Sequence, residues 1–251
     1  MQYDNLFKSY LRERIRVAKL VDELAKFTVL DSRFVKLPSN EYALMKGKEV
    51  IVNCEIRGCY GQAFTDKPTE CKVKIDKILD LNLDDTGNRA LFFSALNAVM
   101  RFLVEIDGVV HCRENEAERC GHMMASKILE EHGKVRVAHI GYQPGHVSAL
   151  SKTFDEVYVT DLNPENISKE KFGIKILDGS ENEDVISSVD VACITGSSLI
   201  NGTLFDLLRF CEKYNTHCLL YGITVKGAGK ILGYEVFCPL AHNSLKNENN
   251  K

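Results

Sequence analysis

The feature that most constrains this chain is a rhythm in its second half. Short apolar β-type runs, "VRVAHI", "EVYVTD", "IKIL", "DVACIT", "CLLYGI" and "EVFC", are joined by stretches of helical or loop composition long enough to cross over a sheet. Strands alternating with helices in this way form a mostly parallel, doubly wound sheet, and right-handed crossovers leave few topologies open. In such a sheet ligands bind outside the carboxyl ends of the strands, where the strand order reverses. The loops that follow strands are therefore the ones to search for function.

The first part of the chain has a different character. From Tyr3 to about Leu30 apolar residues recur at helical spacing and predict one amphipathic helix. The segments "RFVKL", "EYALMKG", "KEVIVNCEI" and "GQAFTD", separated by turn residues, read as an antiparallel meander. Two helices are expected next, near Cys71 to Leu81 and near Thr86 to Ile106, and a further one from about Glu114 to Gly133. The expected organisation is an α+β domain over residues 1–107, a Rossmann-like α/β domain over 108–245 and a disordered polar tail over 246–251.

With 32 basic and 35 acidic residues, and no basic stripe interleaved with aromatics, the chain gives no sign of a nucleic-acid partner. The N-terminus carries charges where a signal peptide needs an apolar core, and no run approaches the ~20 apolar residues of a membrane span. A cytoplasmic protein is expected, with reduced thiols, because nine cysteines without an export signal do not suggest a disulfide framework. Cys71, Cys193, Cys211 and Cys218 sit in apolar patterns and read as packing. The Cys54 and Cys59 pair reads the same way. Nothing in the sequence fixes the oligomeric state, and a homo-oligomer remains open.

Three rim loops stand out. After "VRVAHI" comes "GYQPGH", in which Gly141, Tyr142 and Gly145 are candidate ligand-binding positions, although G-x-x-x-G-H is not the dinucleotide fingerprint. Asp161 ends the next strand, twenty residues after Gly141, where a ribose-binding carboxylate would stand; the competing reading is an Asx-type turn before Asn163-Pro164. The third loop, "TGSSLINGT", offers Thr195, Gly196, Ser197, Asn201 and Gly202 as a cradle for a small polar or anionic ligand. Part of that loop must also cap the following helix. If the first and fourth strands of the sheet are neighbours, this loop faces "GYQPGH". Among acid–base candidates, His146 and Asp161 qualify by position only, and His146 reads more simply as a surface histidine.

Thiols and imidazoles gather in two segments, "HCRENEAERCGH" and "FCPLAH". His111, Cys112, Cys120, Cys238 and His242 are the candidate metal ligands, because thiolate and imidazole together suit Zn²⁺, Fe or Cu. An iron-sulfur cluster is a second option. The spacings are not those of a zinc finger. Cys120 also lies on the apolar side of its helix with Ala117, Met124 and Ile128, which gives it a packing alternative, and His122 reads as a surface residue.

"TGSSLINGT" resembles the T-G-S-x-L-x-N-G-T signature of an uncharacterised family named for heavy-metal chelation. The order of "GYQPGHVSAL", "VTDLNPENI", "YGITVKGAG" and "FCPLAH" around it fits the same pattern. Upstream, "RALFFSALNAV" is similar to the A-x-x-A-L-N-A helix of the family's usual N-terminal partner domain. The resemblance implies an N-terminal domain like that of enolase, a Rossmann-like second domain, a site between them and a role in metal handling. By motif it carries over to Thr195, Gly196, Ser197, Asn201, Gly202 and Asn97. The Cys and His pairs belong to a variant of the pattern and need not be shared across the family.

Two classes of function follow. One is a metal-binding protein whose cleft holds a metal ion and a small-molecule or anionic ligand. The alternative is a Rossmann-type enzyme using a nucleotide-bearing cofactor, S-adenosylmethionine or NAD, with Asp161 on the ribose; the absent G-x-G-x-x-G counts against it. A non-catalytic scaffold or sensor is a third reading.

Overall fold

The protein is described by a computed structural model that covers residues 3–47 and 49–245. The expected polar tail, 246–251, lies outside the described residues.

The opening helix, α1 (Asp4–Val17), buries Phe7, Leu11 and Ile15 at i, i+4 and i+8. It stops well before Leu30. Lys19 turns the chain with φ +55°, and Leu24–Leu30 is a strand, β1, in which Ala25 and Phe27 are buried alternately. The continued helical spacing of Val21 and Leu24 is coincidental, since both are exposed. "RFVKL" is not a strand either. Asp31 accepts a hydrogen bond from the Arg33 amide (2.9 Å) and starts a one-turn helix, α2 (Ser32–Val35). "EYALMKG" is a series of turns held by buried Tyr42 and Leu44.

The meander begins later, with β2 (Val50–Ile56) and β3 (Cys59–Thr65) joined through Arg57 and Gly58, both at positive φ as a two-residue hairpin turn requires. Cys71–Lys74, expected to open a helix, forms β4 and pairs with β1, so that the first sheet has the antiparallel order β3-β2-β1-β4. Helix α3 (Thr86–Phe102) lies on β2 and β3, and its residues from Arg89 to Met100 are all buried.

Helix α4 (Glu116–His132) ends at Gly133 as the sequence indicates. The second sheet then follows with β5 (Val137–Ile140), α5 (Pro144–Thr153), β6 (Val157–Asp161), a short β7 (Glu170–Lys171), β8 (Ile174–Asp178), α6 (Asn182–Ser187), β9 (Val191–Thr195), α7 (Ser197–Asn201), α8 (Leu204–Tyr214), β10 (His217–Tyr221), α9 (Lys226–Leu232) and β11 (Val236–Phe237). Its order is β11-β10-β9-β5-β6-β8-β7, parallel except for the edge strand β7. Without β7 this is the doubly wound order 3-2-1-4-5-6. The reversal point lies between β5 and β9, which pair directly.

The two sheets share one core. A single buried cluster contains Phe7, Phe92 and Leu96 from the first region and Ala138, Ile194 and Leu220 from the second. Asn97 sews the regions together. Its amide N–H groups are shared among the carbonyls of Gln62 (3.2 Å), Ile223 (3.2 Å) and Thr224 (3.3 Å), and its oxygen accepts from the Gly227 amide (2.9 Å). Arg89 adds a second stitch by donating to the Leu199 carbonyl at 2.8 Å.

Candidate functional site

A cavity of ≈ 640 Å³ opens over the carboxyl ends of β5, β6, β9 and β10, roofed by residues 37–46 and Glu49 and flanked by the end of β3. It sits at the reversal of strand order, where an open α/β sheet binds its ligands. Both glycine-bearing loops border it, and they face each other because β5 and β9 are neighbours.

The glycines in these loops make room for the protein's own atoms. A Cβ at Gly141, where φ is +90°, would stand 2.7 Å from Thr195 Cγ2. One at Gly145 would stand 2.8 Å from the Ala117 carbonyl, and one at Gly121, on the facing helix α4, 2.2 Å from the Gly145 carbonyl. These two glycines let α4 and α5 cross almost backbone to backbone. Gly196 donates its amide to the Tyr221 carbonyl (2.8 Å), and Gly202 is the left-handed C-cap of α7.

"TGSSLINGT" is thus a strand end, a five-residue helix and a cap. Ser198 donates to the Thr195 carbonyl (2.6 Å), and Asn201 Oδ1 accepts from both the amide and the hydroxyl of Thr203 (3.1 and 2.8 Å). The Asn201 oxygen closes the turn between α7 and α8; the side chain of Thr203 makes no capping bond to α8. Of the loop's hydroxyls only that of Ser197 makes no hydrogen bond among the described residues, and Ser197 borders the cavity.

Asp161 ends β6 on the cavity wall, and its carboxylate is already engaged. It accepts from the amides of Tyr142 (2.9 Å) and Asn163 (2.7 Å) and from the Asn166 side chain (3.1 Å), which is the Asx-turn arrangement.

Of the five candidate metal ligands, His111, Cys112, Cys120 and Cys238 border the cavity. His242 does not. Its Nε2 stands 2.7 Å from Glu116 Oε2, and its backbone bridges to Val110. The three thiols are electrostatic neighbours. Burial first, then Cys238 and Cys120, holds the Cys112 thiol well above its ordinary range; burial and then Cys238 push Cys120 up to about 12. Cys238 is pushed up to about 11 by burial, with Lys226 opposing. Burial holds His111 down to about 4, and its Nδ1 lies 2.5 Å from the Cys112 carbonyl. Among the described residues no group of three or more His, Cys, Asp or Glu side chains is arranged to hold a metal ion as it stands. The donor set has the right chemistry and is not preassembled.

Other cysteines behave as packing. Cys54, Cys193 and Cys211 are buried in the cores, while His122 is exposed as expected.

The sequence reading missed the most unusual group at the site. His146 is not a surface residue; it is 4% exposed and borders the cavity. Its Nδ1 lies 3.2 Å from Nε2 of His139, itself fully buried in β5, and Tyr221 stacks against His139 with ring centroids 4.8 Å apart. Burial keeps both imidazoles neutral, holding His139 down to about 3 and His146, with His139 as the second cause, well below its ordinary value. Among the described residues no group meets hydrogen-bond geometry at His139 Nδ1. In the contact between His139 Nε2 and His146 Nδ1 one nitrogen donates and the other accepts, and the tautomer that makes His146 Nδ1 the donor leaves a lone pair on His146 Nε2. A histidine inside the apolar run "VAHI", seven residues before another at a helix start, was the signal available in the sequence.

These features define a Rossmann-like α/β protein with a cavity at the strand-order reversal, closed by an antiparallel α+β region. Residues 124–234 match the DUF364 family model, described as "Putative heavy-metal chelation". The match includes both glycine loops, Asp161, His139 and His146, and it excludes Cys112, Cys120 and Cys238. The chain is similar to a crystal structure of a DUF364 protein of unknown function from Pyrococcus horikoshii, at 19% identity and TM-score 0.52 over 90% of this chain and 82% of that one. It is also similar to a DUF364 protein of unknown function from Desulfitobacterium hafniense DCB-2, at 14% identity and TM-score 0.53 over 89% and 83%. Both likenesses concern the fold. No curated protein matches the chain. No helix of the described residues is long and apolar enough to cross a membrane.

Proposed function

We propose that the cavity handles a soft or borderline metal ion, with the thiolates of Cys112, Cys120 and Cys238 as its ligands and His111 as the adjoining nitrogen donor. The observation that carries this reading is the convergence of three thiols, from the linker, α4 and the end of β11, on one cavity wall. The heavy-metal description of the matching family supports it. Three thiols and a nitrogen suit a single Zn²⁺-like ion better than an iron-sulfur cluster, which ordinarily takes four thiolates. Binding must gather the side chains and release their protons, because a coordinating thiol is deprotonated. The ≈ 640 Å³ cavity also exceeds the needs of a bare ion, so a small molecule shares it.

The test is metal analysis of protein purified without chelator, followed by zinc titration of the wild type and of Cys112→Ser, Cys120→Ser and Cys238→Ser. Each substitution should lower zinc affinity by at least about tenfold. Equal metal content and affinity in all four proteins would remove the reading. Because burial raises these thiols, zinc affinity should climb with pH between about 6 and 8 as proton release becomes easier, with protons released on binding.

The position of the cavity at the strand-order reversal favours one second reading, a nucleotide-bearing cofactor. Against it, the space at Gly141, Gly145 and Gly196 is taken by the protein's own atoms and Asp161 is already engaged. A thermal-shift comparison of NAD and S-adenosylmethionine decides it, and absence of stabilisation by either ends it.

A further inference from the structure

The thiol reading leaves a second set of groups at the cavity unused. Glu49 borders the cavity, and its carboxyl has no hydrogen-bond or ion-pair partner among the described residues. Burial, then Asp161 and Asp66, raises it. An unpaired carboxyl in a partly buried position is costly unless something compensates it. His146 supplies an independent sign: it is nearly fully buried, its Nδ1 is committed to His139, and Nε2 has no partner among the described residues although the ring borders the cavity. Tyr221 links the two groups in space, since its ring lies 5.0 Å from His146 and within electrostatic reach of Asp161 and Glu49. Lys46 is the only lysine or arginine among the described residues bordering the cavity, against the carboxyls of Glu41, Glu49, Asp66 and Asp161.

A wall rich in acceptors and carboxylates repels an anion and attracts a cation that carries donors. We propose that this end of the cavity binds an organic ammonium group, with Glu49 as its counter-ion, the ring of Tyr142 as an aromatic wall and, in the tautomer whose Nδ1 donates to His139, Nε2 of His146 as a hydrogen-bond acceptor. Aromatic faces beside a carboxylate are the usual setting for such cations. A bare metal ion fits this end less well, because no three of its acidic and imidazole groups form an ion-holding set. The assignment does not depend on the thiols, and it replaces the anionic ligand that the glycine loops alone suggested.

The test uses benzylamine as probe, with benzyl alcohol and benzoate as uncharged and anionic controls, titrated into the ¹⁵N-labelled full chain. Benzylamine should shift the amides of Gly141, Tyr142 and Gly196, benzyl alcohol should bind at least about tenfold more weakly, a loss of ~1.4 kcal/mol, and benzoate should not bind. Glu49→Gln should weaken benzylamine by a similar factor and leave zinc content as it is in the wild type. The imidazole ¹⁵N spectrum of the unmutated protein gives a second measure, in which His146 Nε2 shows the signature of an unprotonated nitrogen and moves on adding benzylamine. Benzoate binding as tightly as benzylamine, an effect of Glu49→Gln below about twofold, a protonated Nε2 or no response to benzylamine would each overturn the proposal. Cysteine variants that lose zinc and keep benzylamine binding would separate its fate from that of the metal reading.

Discussion

Gly141 and Gly145 show how a residue can be noticed for the right place and given the wrong partner. The sequence marks the glycine loops as points of close backbone approach, and they are. What approaches is Thr195 and helix α4, which no single-sequence pattern displays, because the contact joins residues far apart in the chain. A prediction follows at this scale. Gly121→Ala forces a methyl group to within 2.2 Å of the Gly145 carbonyl, whereas a methyl at Gly202 meets open space and pays only for its positive φ. Urea denaturation should show Gly202→Ala losing about 1 kcal/mol and Gly121→Ala losing several times more; equal losses would contradict the crossing. The histidine dyad gives the second. Folded values depressed below the unfolded ~6.5 mean a contribution to stability that is whole above that pH and is lost as pH falls from there towards about 3. NMR titration should find both imidazoles still neutral at pH 5, and protonation of either near pH 6.5 would refute this.

At the level of elements, the parallel half was legible and much of the antiparallel half was not. Each expected strand of the second sheet is present, because buried parallel strands are nearly continuous apolar runs. The first sheet has half-exposed strands whose apolar residues mimic helical spacing, as in Leu24–Leu30, and a segment, 36–47 with Glu49, that buries Tyr42 and Leu44 without any regular structure. That segment carries part of the candidate site, including Glu41 and Glu49, which is why the sequence could not supply them. Besides buried Tyr42 and Leu44, the ion pair of Glu41 with Lys171 on β7, 2.7 Å long and partly exposed, ties the segment to the second sheet. Such pairs contribute less than about 1 kcal/mol and weaken in salt. Lys171→Ala should therefore leave thermal stability nearly unchanged while speeding exchange of a bound zinc ion or amine probe. Unchanged exchange rates would mean that the segment does not cover the entry path.

For the molecule as a whole, the shared core predicts one unfolding transition. The cluster that joins Phe7 and Phe92 to Ala138 and Leu220 leaves neither sheet a complete interior of its own. Fluorescence and far-UV circular dichroism should give coincident urea curves, and two separated transitions would show that the halves fold independently. Asn97→Ala removes the shared amide stitches and leaves buried carbonyls and the Gly227 amide unsatisfied, so a loss of about 2–4 kcal/mol is expected. The same stitching bears on how the cavity meets a guest. Two bodies welded through a buried asparagine do not swing apart like jaws, and the cavity's roof, pinned by buried Tyr42 and Leu44, is seated in the same frame. A guest would meet a room already framed, with the fitting left to the side chains on its walls.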